Sequence, residues 1–427
     1  MLNDTQLAGV ARNPAAPASV LLRILRSGRQ EAYWIAQRGI VPDEVYDAIV
    51  THPERRLRGW FADVWSAPAA QRARLATDPD PMVRAAVAGG PTPFRTKVEQ
   101  LPAETYELLS RDEHALVREL VLEQWADPPA EILDRLLDDP EPKVRARAAA
   151  RSWRRRPELV PEVVRAGDGD AIEQAQLDRA LALEVRATGD IWTLGKLAAN
   201  PHLPADLVDE LARHHQPLVR LAVSMRPEFT EEQRTRIDHE VLPQARVHPA
   251  RWTYEATDED TMRRAATSAH TGLRRGAACN PHLPPDLVRL LAADEDFAVR
   301  LLLCENHADA PAELLWPVYQ EAKVITRGAL LQHPGFPLHR LASLADHENP
   351  EIRREALYDP EADPALVDRL SHDANHLVRA VAAAHPHLAP DHLPRLLADP
   401  FTESSAARNP GLPVPEMDRV LREAGIV

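Results

Sequence analysis

The chain has 427 residues, a formal charge of −14, 5% aromatic residues, and 39 prolines against 16 glycines. Such a length would ordinarily divide into two to four globular domains. The acidic balance argues against a general binder of nucleic acid, which needs surplus positive charge, and the few aromatics argue against most β-sandwiches and propellers.

The N-terminus, Met1-Leu2-Asn3-Asp4-Thr5, lacks the basic head and apolar stretch of a secretory signal. No apolar run reaches about 18 residues, so no membrane segment is expected. Cys279 and Cys304 are too few for a disulfide framework or a four-thiolate metal site, and a cytoplasmic location is the expectation. Only four of the 51 basic residues are lysine, a bias suggesting a GC-rich bacterial genome.

Along the chain an arginine, usually preceded by Val, Leu or Ile, recurs at Arg58, Arg84, Arg118, Arg145, Arg220, Arg246, Arg274, Arg300, Arg327, Arg353 and Arg379. Most steps are 26 to 28 residues. The step of 34 from Arg84 to Arg118 implies an insertion near Gly89–Pro93, and the gap of 75 from Arg145 to Arg220 leaves room for two degenerate units, with Leu194 filling one place. Val185-Arg186 is out of phase and belongs to another helix. Six residues after the arginine place, an Asn-Pro-like site often follows: Asn200-Pro201, Asn280-Pro281, His333-Pro334, Asp359-Pro360 and His385-Pro386; Asn409-Pro410 continues the series. Self-similarity at this period predicts an all-α, right-handed α-solenoid of about fifteen two-helix repeats of about 26 residues. It is expected to form a single array over 1–427, with N-terminal repeats over 1–150, degenerate repeats over 151–200, and regular repeats with a C-terminal cap over 201–427.

Each unit reads as two short helices. The first begins at Leu-Pro, as in Leu283-Pro284, where proline suits a first turn, and continues with apolar residues at three- and four-residue spacing. An acidic turn follows. The second helix carries Val-Arg and stops at the next Asn-Pro, because proline disfavours helix in the residue before it. Helices this short are marginal alone and depend on stacking. The pattern Asn-Pro-x-Leu-Pro-x-x-Leu, acidic turn, Val-Arg-x-x-Val-Ala, clearest over 200–227 and 280–413, resembles the leucine-rich repeat variant family, a relative of HEAT-type helical repeats. The resemblance implies a second element that is α or 3₁₀. The family's founding type carries an iron–sulfur module on clustered cysteines; this chain has no such cluster, so no cofactor is carried over.

An acid or histidine sits six residues before ten of the eleven arginines. The acids are Asp78, Asp112, Asp139, Glu240, Asp294, Glu321 and Asp373; the histidines are His52, His214 and His347. Asp78 with Arg84, Asp112 with Arg118, Asp139 with Arg145, Asp294 with Arg300 and Asp373 with Arg379 are expected to form a structural ladder, the planar guanidinium bridging carboxylates of its own and a neighbouring turn. One and five residues after the arginine lie on one helix face and vary between units: Ala85/Gly89, Glu119/Glu123, Leu221/Met225, Val247/Arg251, Arg275/Cys279, Leu301/Glu305, Arg354/Tyr358. This variable stripe is the expected partner-binding face, with Arg251, Arg275, Arg354 and Tyr358 as contacts.

Trp153 lies among Arg151, Arg154, Arg155 and Arg156. Such a cluster can stack a base and grip phosphates, or it is a solvated helix end covered by Glu158 and Glu162. The other tryptophans, Trp65 among them, read as packing between layers. His214-His215, His372 with His376, and His385 with His387 have ligand-like spacing, but a metal site needs three or four converging ligands and none is expected. Cys279 and Cys304 read as small buried side chains. Phosphate-loop, dinucleotide, zinc-protease and nucleophile-elbow patterns are absent from the sequence, and Gly167-Asp168-Gly169-Asp170 reads as a turn. The first expectation is a non-enzymatic scaffold for a protein or peptide partner. The alternatives are a DNA-binding protein or DNA glycosylase, such as HEAT-like repeats also form, and a structural part of a larger assembly.

Overall fold

The computed structural model describes residues 2–38, 41–64, 67–91, 99–242 and 250–427. Arg246, Val247 and Trp65 lie outside them. Among the described residues there are helices and no β-strand, and no helix is long and apolar enough to cross a membrane. The helices alternate as two-helix repeats. First helices include Asp43–Val50, Ala130–Leu137, Ala205–Leu211, Pro285–Ala292 and Pro364–Leu370; second helices include Pro81–Gly89, Ile191–Ala199, Pro217–Ser224, Phe297–Asn306 and His376–Ala384. Gly169–Gln174 and Ile191–Ala199 occupy the two second-helix places between Arg145 and Arg220, and Arg186 falls in the first helix Arg179–Thr188.

Local chemistry sets the boundaries. Proline stands one residue before first helices, at Pro42, Pro102, Pro129, Pro204, Pro284 and Pro311, in an extended conformation. Second helices start on an acceptor side chain: Asp80 takes the Met82 amide, Asp296 the Val299 amide and Asn375 the Leu377 amide, which satisfies a first-turn N–H that has no partner within the helix. Most second elements are α; 3₁₀ geometry replaces it at Gln30–Arg38 and Arg354–Leu357.

The helices group into two units, one of Met1–Arg147 with Leu338–Val427 and one of Ala148–Pro337. The first unit is drawn from both ends of the chain. Leu2–Arg12 packs on Glu403–Arg408, Gln30–Arg38 and Val414–Glu423. Leu2–Arg12 is thus the second helix of a repeat whose first helix is Val414–Glu423. The last helix, expected as a cap, is half of a repeat. Gly9 permits the approach: a Cβ there would lie 2.4 Å from the Ser404 carbonyl oxygen and 2.6 Å from the Ala407 Cβ.

Two polar ladders tie repeat to repeat. In the first, the repeat arginine donates through Nη1 to the main-chain carbonyl six residues earlier. It donates through Nε and Nη2 to an acid about one repeat on. Arg58 reaches the His52 carbonyl at 2.6 Å and Asp78 at 2.6 and 2.9 Å. Arg84 with Asp112, Arg118 with Asp139, Arg274 with Asp294 and Arg353 with Asp373 repeat that bidentate grip, and Arg379 holds Asp399 through one oxygen. Arg145 keeps its own-corner carbonyl, Asp139 at 2.7 Å, and Arg300 does the same while reaching Glu321. At Asp78, Asp112, Asp139, Asp294, Glu321 and Asp373 the carboxylate six residues before an arginine is therefore held by the preceding repeat's arginine, not by its own, whereas Arg220 turns to Asp238 rather than Glu240. Such an aspartate also accepts the amide two residues on, as Asp78 does from Asp80.

In the second ladder, the side chain at the Asn-Pro site donates to carbonyls closing the preceding second helix. Asn200 reaches Ile172 and Ala175, Asn280 reaches Thr253 and Ala256, and Asn409 reaches Ala383 and His385. Arg226 substitutes for asparagine, donating to Ala198 and Asn200. His385 and His333 substitute through Nε2, which donates to Asp359 and His307, while Nδ1 accepts the amide two residues on. Asn13 does the same across the chain ends, reaching the Ala407 and Asn409 carbonyls at 3.0 and 2.6 Å.

Candidate functional site

Within the unit 148–337 a groove of about 650 Å³ opens over four consecutive second-helix layers. Its lining comes from Gly169–Gln174, Ile191–Ala199, Pro217–Ser224 and Arg251–Tyr254 with the turns that follow them. Leu218, Leu221, Met225, Trp252 and Pro227 give an apolar surface, and Trp192 stands at 60% exposure. The residues one and five after the arginine place contribute Gly195 and Ala199, Leu221 and Met225, and Arg251. Among the described residues, a Cβ on Gly195 would meet nothing within 4 Å, so none of them covers the groove above it.

Its cations are paired with acids, while Asp190 on the same rim accepts the Thr193 amide. Lys196 Nζ lies 2.6 Å from Glu173, and Arg251 lies 2.8 Å from Asp170 and 3.3 Å from Glu255. Trp252 donates its indole N–H to the Met225 carbonyl at 2.8 Å beneath the Arg264 guanidinium, 4.7 Å from its ring. Arg226 is buried on carbonyls and on Glu228. The site offers apolar contact with a rim whose cations are neutralised, the composition of a binding pocket.

Of the four residues expected to meet a partner, two lie in each unit. Arg251 lines the groove. Arg275 does not face solvent: at 1% exposure it holds Asp296 bidentately at 2.9 and 2.7 Å and donates to the Leu242 carbonyl. A carboxylate on the next repeat's N-cap draws it inward, where its guanidinium is fully partnered. Arg354 pairs with Glu351 at 2.6 Å and Tyr358 is 36% exposed, both in the other unit. Glu119 and Glu123 meet Arg147.

Trp153 is 6% exposed, with the Arg154 guanidinium 4.5 Å from its ring. Arg154 in turn reaches Gln174 at 3.2 Å and Asp170 at 3.6 Å; Arg155 is also engaged within the chain, and Arg156 meets Glu158 at 3.1 Å. A buried ring already covered by a cation presents no face to a base, which corrects the stacking expectation for Trp153, Arg154 and Arg155. Among the described residues no group of three metal-ligating side chains is gathered. His385 and His387 each hydrogen-bond a main-chain carbonyl.

Ser224 and His270 form a contact that sequence spacing did not reveal: Oγ and Nε2 are 2.9 Å apart. It is not a nucleophile and base. His270 Nδ1 accepts the Gly272 amide, so Nε2 carries the proton and donates to Ser224, whose own proton goes to the Leu221 carbonyl at 2.7 Å. Burial, then the stacked His239 ring at 4.4 Å, push His270 down to about 3. Cys304 is buried and its thiol is pushed up to about 12 by that burial.

No family model matches this chain, and no curated protein matches it. One solved structure, an engineered protein of the Northeast Structural Genomics Consortium, is 14% identical over 96% of this chain and 94% of that one, with a TM-score of 0.15, too low to support an argument.

Proposed function

We propose that this chain is a non-enzymatic, cytoplasmic binding scaffold of the leucine-rich repeat variant kind, and that the groove over residues 167–255 takes an extended peptide segment of a protein partner through its apolar side chains. The observation that supports this reading is an open apolar groove crossing four repeats, with an exposed Trp192 and with Lys196 and Arg251 already neutralised by Glu173, Asp170 and Glu255. An elongated groove across repeats suits an elongated ligand, and paired rim cations favour uncharged, apolar anchors over phosphates.

Gly195→Leu tests it. Leucine fills open space in the groove and is a better helix former than glycine by about 0.8 kcal/mol, so folding is retained. A displayed peptide library is selected on the natural chain and counter-selected on the Gly195→Leu variant. Enrichment of apolar-anchored peptides that fail to bind Gly195→Leu and Trp192→Ala is expected. Equal recovery on all three proteins would remove the groove as the site.

A further inference from the structure

The contact between the chain ends differs from the other repeat junctions in one respect. Within each unit, successive repeats are normally joined by main chain as well as by packing. The repeat made of Val414–Glu423 and Leu2–Arg12 is held together by packing and polar contacts alone. It can therefore open without breaking the connection between any other neighbours. Its two faces are built for each other. Leu7 and Val10 are buried on one side, Ala406, Ala407, Met417 and Leu421 on the other. Gln6 donates to the Leu397 carbonyl and Glu403, Arg12 to Ser404 at 2.7 Å, and Asn13 to Ala407 and Asn409. Arg23 pairs with Asp418 at 2.5 Å. The second ladder crosses this junction with the donor geometry it has at Asn409 and Asn280.

Nothing in these contacts distinguishes the chain's own C-terminal face from that of another molecule. We propose that the junction is an interaction surface for a second copy of this chain, with Leu2–Arg12 of each molecule docking on Glu403–Arg408 and Val414–Glu423 of the other. The closed monomer prevails while the effective concentration of the tethered ends exceeds the protein concentration. Exchange conserves one junction per chain, so it costs no contact.

The full chain is incubated at graded concentrations just below its melting temperature, cooled, diluted, and separated by size with mass determination. The dimer-to-monomer ratio is expected to rise in proportion to concentration during incubation and to persist on cold dilution. The isolated dimer is expected to keep the monomer's amide protection over 2–12 and 403–408. Asn13→Ala weakens the junction equally in both forms, so it is expected to speed interconversion and leave the equilibrium ratio unchanged. Gly9→Val, which obstructs the approach itself, is expected to abolish the dimer and the protection together. Absence of dimer at every concentration overturns the proposal, as does a dimer with 2–12 unprotected or an Asn13→Ala variant with an altered ratio; should Gly9→Val not fold, the Asn13→Ala comparison decides.

Discussion

At the scale of single residues, burial separates ion pairs of the same type into strong and weak. Asp78 is 2% exposed and Arg58 9% at their side chains, whereas Arg300 meets the half-exposed Glu321. Removing one partner of a buried pair leaves an uncompensated charge, so Arg58→Ala is expected to cost about 3 kcal/mol by denaturant unfolding. Glu321→Gln should cost less than about 1 kcal/mol. The same burial sets the acid response. His270 is neutral in the fold, with a pKa near 3 against 6.5 when exposed. Between those values the unfolded chain binds the extra proton, so stability falls as pH drops from about 6.5 toward 3. Asp373 adds to the loss lower down, since the Arg353 hydrogen bonds hold it below the usual carboxylate range. His270→Gln should flatten the upper part of that profile in unfolding measured at pH 7 and pH 5. Among the thiols, partly exposed Cys279 is expected to react with a maleimide in the native protein, and buried Cys304 only after unfolding.

At the scale of elements, the repeat was legible in the sequence because its signals are local. Val-Arg, Asn-Pro and Leu-Pro each mark a cap, a turn or a helix start, and the helices Pro217–Ser224, Pro285–Ala292 and His376–Ala384 stand where those signals place them. Pairing was harder to read. In a period of 26, an acid six residues before one arginine is also an acid twenty residues after the previous one. Asp78 is six before Arg84 and twenty after Arg58, and it binds Arg58. The histidines carried the missing signal. His214 comes twenty residues after Leu194, which has no guanidinium to hold, and His347 comes twenty after Arg327, which turns to the Ala322 and Gln320 carbonyls. What these two positions supply is a main-chain carbonyl and an acceptor for the amide two residues on, and His214 and His347 each supply both. Likewise His385 stands in for asparagine only while neutral. His385→Asn is expected to preserve stability at pH 7 and to improve it at pH 5, read by thermal unfolding, because burial lowers the histidine pKa. The groove was legible only in part. The variable stripe pointed to Leu221, Met225 and Arg251, but nothing in the spacing showed that Arg275 would be drawn onto Asp296.

At the scale of the molecule, the unit that combines 1–147 with 338–427 could not be read from periodicity, since Leu2–Arg12 carries no Val-Arg signal. Asn13-Pro14 is the one trace of it, an Asn-Pro site with no repeat before it in the chain. Physically the missing repeat is supplied by Val414–Glu423. Native-state hydrogen exchange tests this joining most directly. The expected result is that amides of 2–12 and 403–408 share one opening free energy, that Asn13→Ala lowers both by the same amount, and that neither frays ahead of the other. Rapid exchange of 2–12, typical of a loose chain end, beside a protected 403–408 would contradict it.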